Sequence, residues 1–194
     1  MITGTAQTSI NTDLLVARYL TNGVLDTTFN NTGYKLLDFV QTNDKGTDLY
    51  IQSNGSILVT GRIQRTDDHT VGVVVVRLFS DGTLDTQFGS GGNFRIPTAR
   101  GKDANAAIYQ LSSGEIALAW YRSSDESEYF TQVTKLLSQG TVDSSFGTNG
   151  TLTTSIRGIH GHRPGFAIQK DHKLVIGGTV PNSGNADLAL ERRW

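Results

Sequence analysis

The chain has 194 residues, of which 37% are hydrophobic and 18% charged, with 22 glycines, 3 prolines and no cysteine. Its net charge of −1, acids and bases interspersed, supplies neither the basic stripe that nucleic acid demands nor a polybasic segment for a membrane surface. The lack of cysteine excludes disulfides, thiolate metal sites and a cysteine nucleophile, and Val73 to Val76, the longest strongly apolar run, is far too short to span a bilayer.

The N-terminus has no charged segment followed by an apolar one, so any export signal is expected outside this chain. The first strand expected is Asp13–Leu20. The turn GVLDTTFNNTG (23–33) follows, then a strand Tyr34–Phe39, a strand Asp48–Gln52, a polar turn Ser53–Gly55 and a strand Ile57–Gly61. The same order then returns. Val71–Phe79 leads to GTLDTQFGSGG (82–92), Asn93–Ile96, Ala106–Gln110, Ser112–Gly114 and Glu115–Ala119. It returns again with FTQVTKL from Phe130, GTVDSSFGTNG (140–150), Phe166–Gln169, Lys170–His172 and Lys173–Gly177, and the chain closes on DLALERR from Asp187.

Three kinds of element therefore recur in one order with a period of roughly 58 residues, and Arg18, Arg77, Lys135 and Arg192 hold one equivalent position. Residues 2–20 align without gaps on residues 176–194. The organisation expected is a single repeat domain over 1–194, with a partial repeat at 1–20 and repeats at about 21–80, 81–138 and 139–194. Glycine-bearing turns between β-branched runs, with no capped helical periodicity, make the chain all-β. Four short antiparallel strands per unit is the size of a β-propeller blade, about 3.5 repeats in this chain. Successive apolar residues at Val73–Val76 require that strand to be buried on both faces, as in sheets stacked around an axis.

The three copies of the GxLDxxFGxxG pattern, with the Gln-initiated elements at Gln52, Gln110 and Gln169 and the Asp13 and Asp187 elements, resemble the delta-60 repeat, a bacterial β-propeller repeat of this length. The resemblance covers nearly the whole chain and is best over Asp81–Gly92. Asn30 departs from it where the family usually has Gly, and Arg193 where it has Tyr. It implies a propeller, often within large secreted or surface proteins of bacteria, and it implies no defined chemistry.

About 3.5 blades do not readily close a ring, since propellers have four to eight, and exposed end strands are a liability unless paired. Self-association, in the simplest case a homodimer, is therefore expected. Asp26, Asp85 and Asp143 read as turn residues accepting backbone N–H bonds, and Phe29, Phe88 and Phe146 as anchors packing between blades. Binding is expected where the repeat breaks. The candidates are Tyr121, Arg122, Asp125, Glu126 and Glu128 in one charged loop, and His160, His162 and Arg163 in the irregular segment 157–165; segment 62–70 is a further charged loop. The two histidines lack an identifiable third ligand, so no metal and no cofactor is expected. No spacing selects a glycosidase carboxylate pair, and no nucleophile elbow, Walker or dinucleotide glycine pattern is present. The sequence thus reads as a non-catalytic binding or scaffold module for a protein or glycan. The alternative is a propeller hydrolase or lyase acting on polysaccharide.

Overall fold

A computed structural model describes residues 1–39, 42–66, 71–97, 105–123, 129–157, 164–171, 173–182 and 185–193. Every regular element among them is a β-strand, each pairing is antiparallel, and no helix is long and apolar enough to cross a membrane.

Strands β1 (Ile2–Gln7), β2 (Thr12–Ala17) and β3 (Tyr34–Leu37) form a three-stranded sheet in that order. Strands β4 (Thr42–Ile51), β5 (Ile57–Arg65), β6 (Val71–Leu78) and β7 (Asn93–Pro97) form a four-stranded meander. The meander repeats over β8 (Ala106–Gln110), β9 (Ile116–Ser123), β10 (Tyr129–Leu136) and β11 (Thr151–Arg157), and the last strands are β12 (Gly165–Ile168), β13 (Leu174–Asn182) and β14 (Asn185–Arg193). The sheets are offset from the sequence repeat, because the strand after each GxLDxxF turn pairs backwards onto the preceding sheet, as Tyr34–Leu37 pairs with β2.

The later sheets do not separate into independent four-stranded units. A pair between Arg157 and Thr179 joins β11 to β13, so β8–β14 are one seven-stranded assembly. Among the described residues the pairing of β13 with β12 reaches Gly165 opposite Gly177, and two positions further along β13 Thr179 takes Arg157 as its partner. Gly178 permits the approach, since a Cβ there would lie 2.5 Å from the Arg157 carbonyl oxygen.

The core lies between stacked sheets. Leu14, Val16, Phe29, Ile57, Val59, Val74 and Val76 form one buried layer between the first and second sheets. Leu58, Val71, Val73, Val75, Phe88, Ile116 and Leu118 form the next, and Ala117, Ala119, Val133, Ile156, Leu174 and Ile176 a third. Strand β6 thus feeds two layers from alternate faces, which is why its valines run without interruption. Each fully buried Val, Leu or Phe contributes about 1.5–3 kcal/mol.

Two segments read as charged loops are strand at their ends. Residues Arg62–Arg65 belong to β5 and Tyr121–Ser123 to β9. Polar side chains end the apolar pattern there, yet the ladders continue, with Gln64 opposite Val71 and Ser123 opposite Tyr129, because pairing satisfies backbone groups whatever the side chains are.

Candidate functional site

The recurring turn is a built unit. Asp26 Oδ1 accepts the Thr28 amide, Asp85 Oδ1 the Gln87 amide and Asp143 Oδ1 the Ser145 amide, at 3.1, 3.0 and 3.1 Å. The other carboxylate oxygen of each meets the cation eight residues earlier: Arg18 Nε at 2.7 Å, Arg77 Nε at 2.6 Å and Lys135 Nζ at 3.0 Å. The same cations lie over Phe29, Phe88 and Phe146, at 5.0, 4.8 and 5.9 Å from the ring centres. Hydrogen bonds from Thr28 and Ser145, before the pull of Arg18 or Lys135, hold the Asp26 and Asp143 carboxyls below the usual aspartate range.

The turn also grips its successor. Arg18 Nη1 donates to the Ser80 carbonyl at 2.6 Å and Arg77 Nη1 to the Ser138 carbonyl at 2.7 Å. The Asn30 and Gly89 amides reach the Asp81 and Gln139 carbonyls. Asn30 has φ 51°, matching Gly89 at 59° and Gly147 at 58°. Asn tolerates this left-handed region better than most residues, so its departure from the repeat pattern is conformationally cheap. These contacts build the recurring Asp, Phe and Arg or Lys into the turn.

Of the residues proposed for binding, Tyr121 lies in β9 opposite Thr131 and is 4% exposed. The backbone of Arg122 pairs with Phe130 in the same ladder. Asp125, Glu126, Glu128, His160, His162 and Arg163 lie outside the described residues.

A concave site is formed elsewhere, where the inner strands β4, β8 and β12 end. A cleft of about 650 Å³ is lined by Tyr50, Tyr109, Gln110, Ser112, Gln169 and Lys170, among others. The two tyrosine rings stand 5.1 Å apart and tilted at 55°. Gln110 Nε2 donates to the Gly114 carbonyl at 3.1 Å, and Gln169 Oε1 accepts Arg192 Nε at 2.6 Å, so both amides are held in place. No carboxylate is among the described residues that line the cleft. Its groups offer aromatic surface, hydroxyls, amides and one ammonium, which is binding chemistry without an acid–base pair. Tyr50 and Tyr109 are equivalent positions of the repeat, opposite Leu58 and Ala117, which in turn face Arg77 and Lys135. Sequence reasoning missed the pair because the third unit has Ala167 there and the pattern breaks.

A second constellation lies at the opposite end of the first sheets. Asp13 at the head of β2, Asp38 just past β3 and Asp44 near the head of β4 each place a carboxylate oxygen within 4.8 Å of the others. Among the described residues these three could hold a cation. A legible signal existed here, because Asp13 stands where the next unit carries Gly72.

A family model described as a domain of unknown function (DUF5122) β-propeller matches residues 1–29 and 52–88. The match supports a β-propeller repeat without singling out the delta-60 repeat. Among solved structures, an endo-arabinase from Bacteroides thetaiotaomicron VPI-5482 is 14% identical, with a TM-score of 0.44, over 99% of this chain and 70% of that one. No curated protein matches the chain.

Proposed function

We propose that this chain is a non-catalytic β-propeller binding module of the delta-60 repeat type, and that it takes a glycan segment in the cleft of Tyr50 and Tyr109. The observation that carries the reading is the cleft itself: two aromatic faces beside fixed amides and hydroxyls, with no carboxylate among the described residues of its lining. Such a surface covers sugar faces and hydrogen-bonds hydroxyls, whereas glycoside hydrolysis needs a pair of carboxyl groups astride the bond. On this reading β4–β7 and β8–β11 are four-stranded blades, and β1–β3 and β12–β14 are incomplete ones, within one repeat domain. The test is affinity electrophoresis against a panel of neutral and acidic polysaccharides. Retardation that weakens about tenfold in Tyr109→Ala supports the reading, a loss near 1.4 kcal/mol. Release of reducing ends by the wild-type chain would replace it with an enzyme.

We also infer self-association, with a second copy of this chain as the partner. Leu188 and Leu190 of β14 are 85% and 73% exposed, although the equivalent Leu14 and Val16 of β2 are buried against the next sheet. The first sheet offers what such a face receives elsewhere in the stack. Gly23 has open space where a Cβ would be, while the equivalent Gly82 and Gly140 each seat a phenylalanine ring.

A further inference from the structure

The cluster of Asp13, Asp38 and Asp44 is costly as it stands. By the register of the β2–β3 ladder, in which Leu14 faces Leu37, Asp13 and Asp38 fall opposite one another one step further along. Like charges directly across an antiparallel pair are destabilising. The third carboxyl arrives from the second sheet, where Asp44 pairs with Ile63 across the β4–β5 ladder.

Burial makes the arrangement harder to tolerate. Asp44 is 0% and Asp13 8% exposed. One oxygen of Asp44 accepts the Phe39 amide at 3.0 Å. Its other oxygen, Oδ1, and Oδ1 of Asp13 are buried and without a hydrogen-bond partner. A buried carboxylate oxygen with no donor forfeits its hydration with no replacement. Burial, and then the neighbouring carboxyls, raise both groups above the usual aspartate range, Asp44 despite the opposing Thr42 hydroxyl and Phe39 amide.

We propose that Asp13, Asp38 and Asp44 hold a calcium ion that ties the first sheet to the second. A divalent cation answers both difficulties together, since it neutralises converging charges and gives the two orphaned oxygens a ligand. The donors are carboxylate oxygens, which selects a hard cation. They come from three different backbone segments. Calcium accepts irregular sets of six to eight oxygens, whereas magnesium demands a near-octahedral site and retains most of its water. The cluster is not rebuilt in the next unit, where the positions equivalent to Asp13 and Asp38 are Gly72 and Pro97. The ion would therefore be a device of the first interface, separate from the cleft of Tyr50 and Tyr109.

The test is calcium chloride alone, titrated into the chelator-stripped full chain and followed by calorimetry and by thermal unfolding. The expected result is one saturable site with a dissociation constant between about 10⁻⁵ and 10⁻³ M, the span of sensors and extracellular calcium modules. The melting temperature should rise with calcium, as it does for any ligand of the folded state. Asp44→Asn and Asp13→Asn should each weaken binding at least about tenfold, and Asp38→Asn, an exposed position that leaves packing intact, should do the same. Absence of binding up to about 10 mM calcium, well above the weakest extracellular modules, would overturn the proposal. So would unchanged calcium affinity in Asp38→Asn together with either buried variant, which would put the ion elsewhere.

Discussion

The ring of Phe29 closes over Gly82 of the following turn, so that a Cβ at Gly82 would meet it at 2.9 Å. Gly82 also sits at φ 90°, outside what L side chains adopt readily. Gly82→Ala therefore incurs backbone strain and a collision with a buried ring. The expected loss is about 1–3 kcal/mol in urea unfolding, and Gly91→Ala, which has open space around its Cβ, should cost less.

Phe88 is fully buried in the layer between the second and third sheets, under the Arg77 guanidinium. Phe88→Ala should cost about 3–5 kcal/mol, the range for emptying a buried aromatic site. Phe88→Leu should recover much of that loss, because volume matters more than ring chemistry where the main contacts are Val, Ile and Leu. Equal loss in both variants would instead give the weight to the cation over the ring.

Stability should fall at both ends of the pH scale, for different groups. The carboxyls of Asp26, Asp81 and Asp143, held down mainly by hydrogen bonds from Thr28, Thr83 and Ser145, stabilise the fold above their unfolded value of 3.8. That contribution is lost as the pH drops through their lowered folded values. Asp13 and Asp44 act in reverse, since burial raises them: their contribution is complete below 3.8 and is lost as the pH rises through their folded values. In metal-free buffer, melting temperatures measured across pH should therefore show a decline above 3.8 that Asp44→Asn reduces. An unchanged decline in that variant would clear the buried pair of responsibility.

Replacing both Leu188 and Leu190 with Ser should leave the melting temperature of the monomer nearly unchanged, since both are exposed on β14. If the face receives a second copy, light scattering should show the wild-type mass near twice 21.0 kDa and the double variant near 21.0 kDa. A wild-type chain that stays monomeric at every concentration would remove the dimer.

The stack was readable because repetition multiplies weak signals. No single GxLDxxF turn is decisive, but three with one spacing fix where strands begin, and the unbroken valines of β6 announce burial on both faces. The link between Arg157 and Thr179 left no such trace, because it is a single backbone pair that no side-chain pattern specifies. The partnership of Arg18 with Asp26, Arg77 with Asp85 and Lys135 with Asp143 was present in the sequence as a constant separation of two recurring residues. The candidate sites were harder to read. Tyr50 and Tyr109 stand one repeat step apart, but Ala167 in the third unit hides the pattern, and Asp13, Asp38 and Asp44 meet where three strand ends converge, with no spacing along the chain.

The handclasp from Arg18 to Ser80, repeated from Arg77 to Ser138, connects each turn to the one after it. Under tension applied at the two termini, such a series shares load only between adjacent members. Its extension should then be stepwise: a peak of force, a release, and the next peak after roughly 200 Å of new contour, from about 58 residues at about 3.4 Å each. A molecule built in this way yields like a chain of clasps, and its weakest clasp sets the force at which it begins to give.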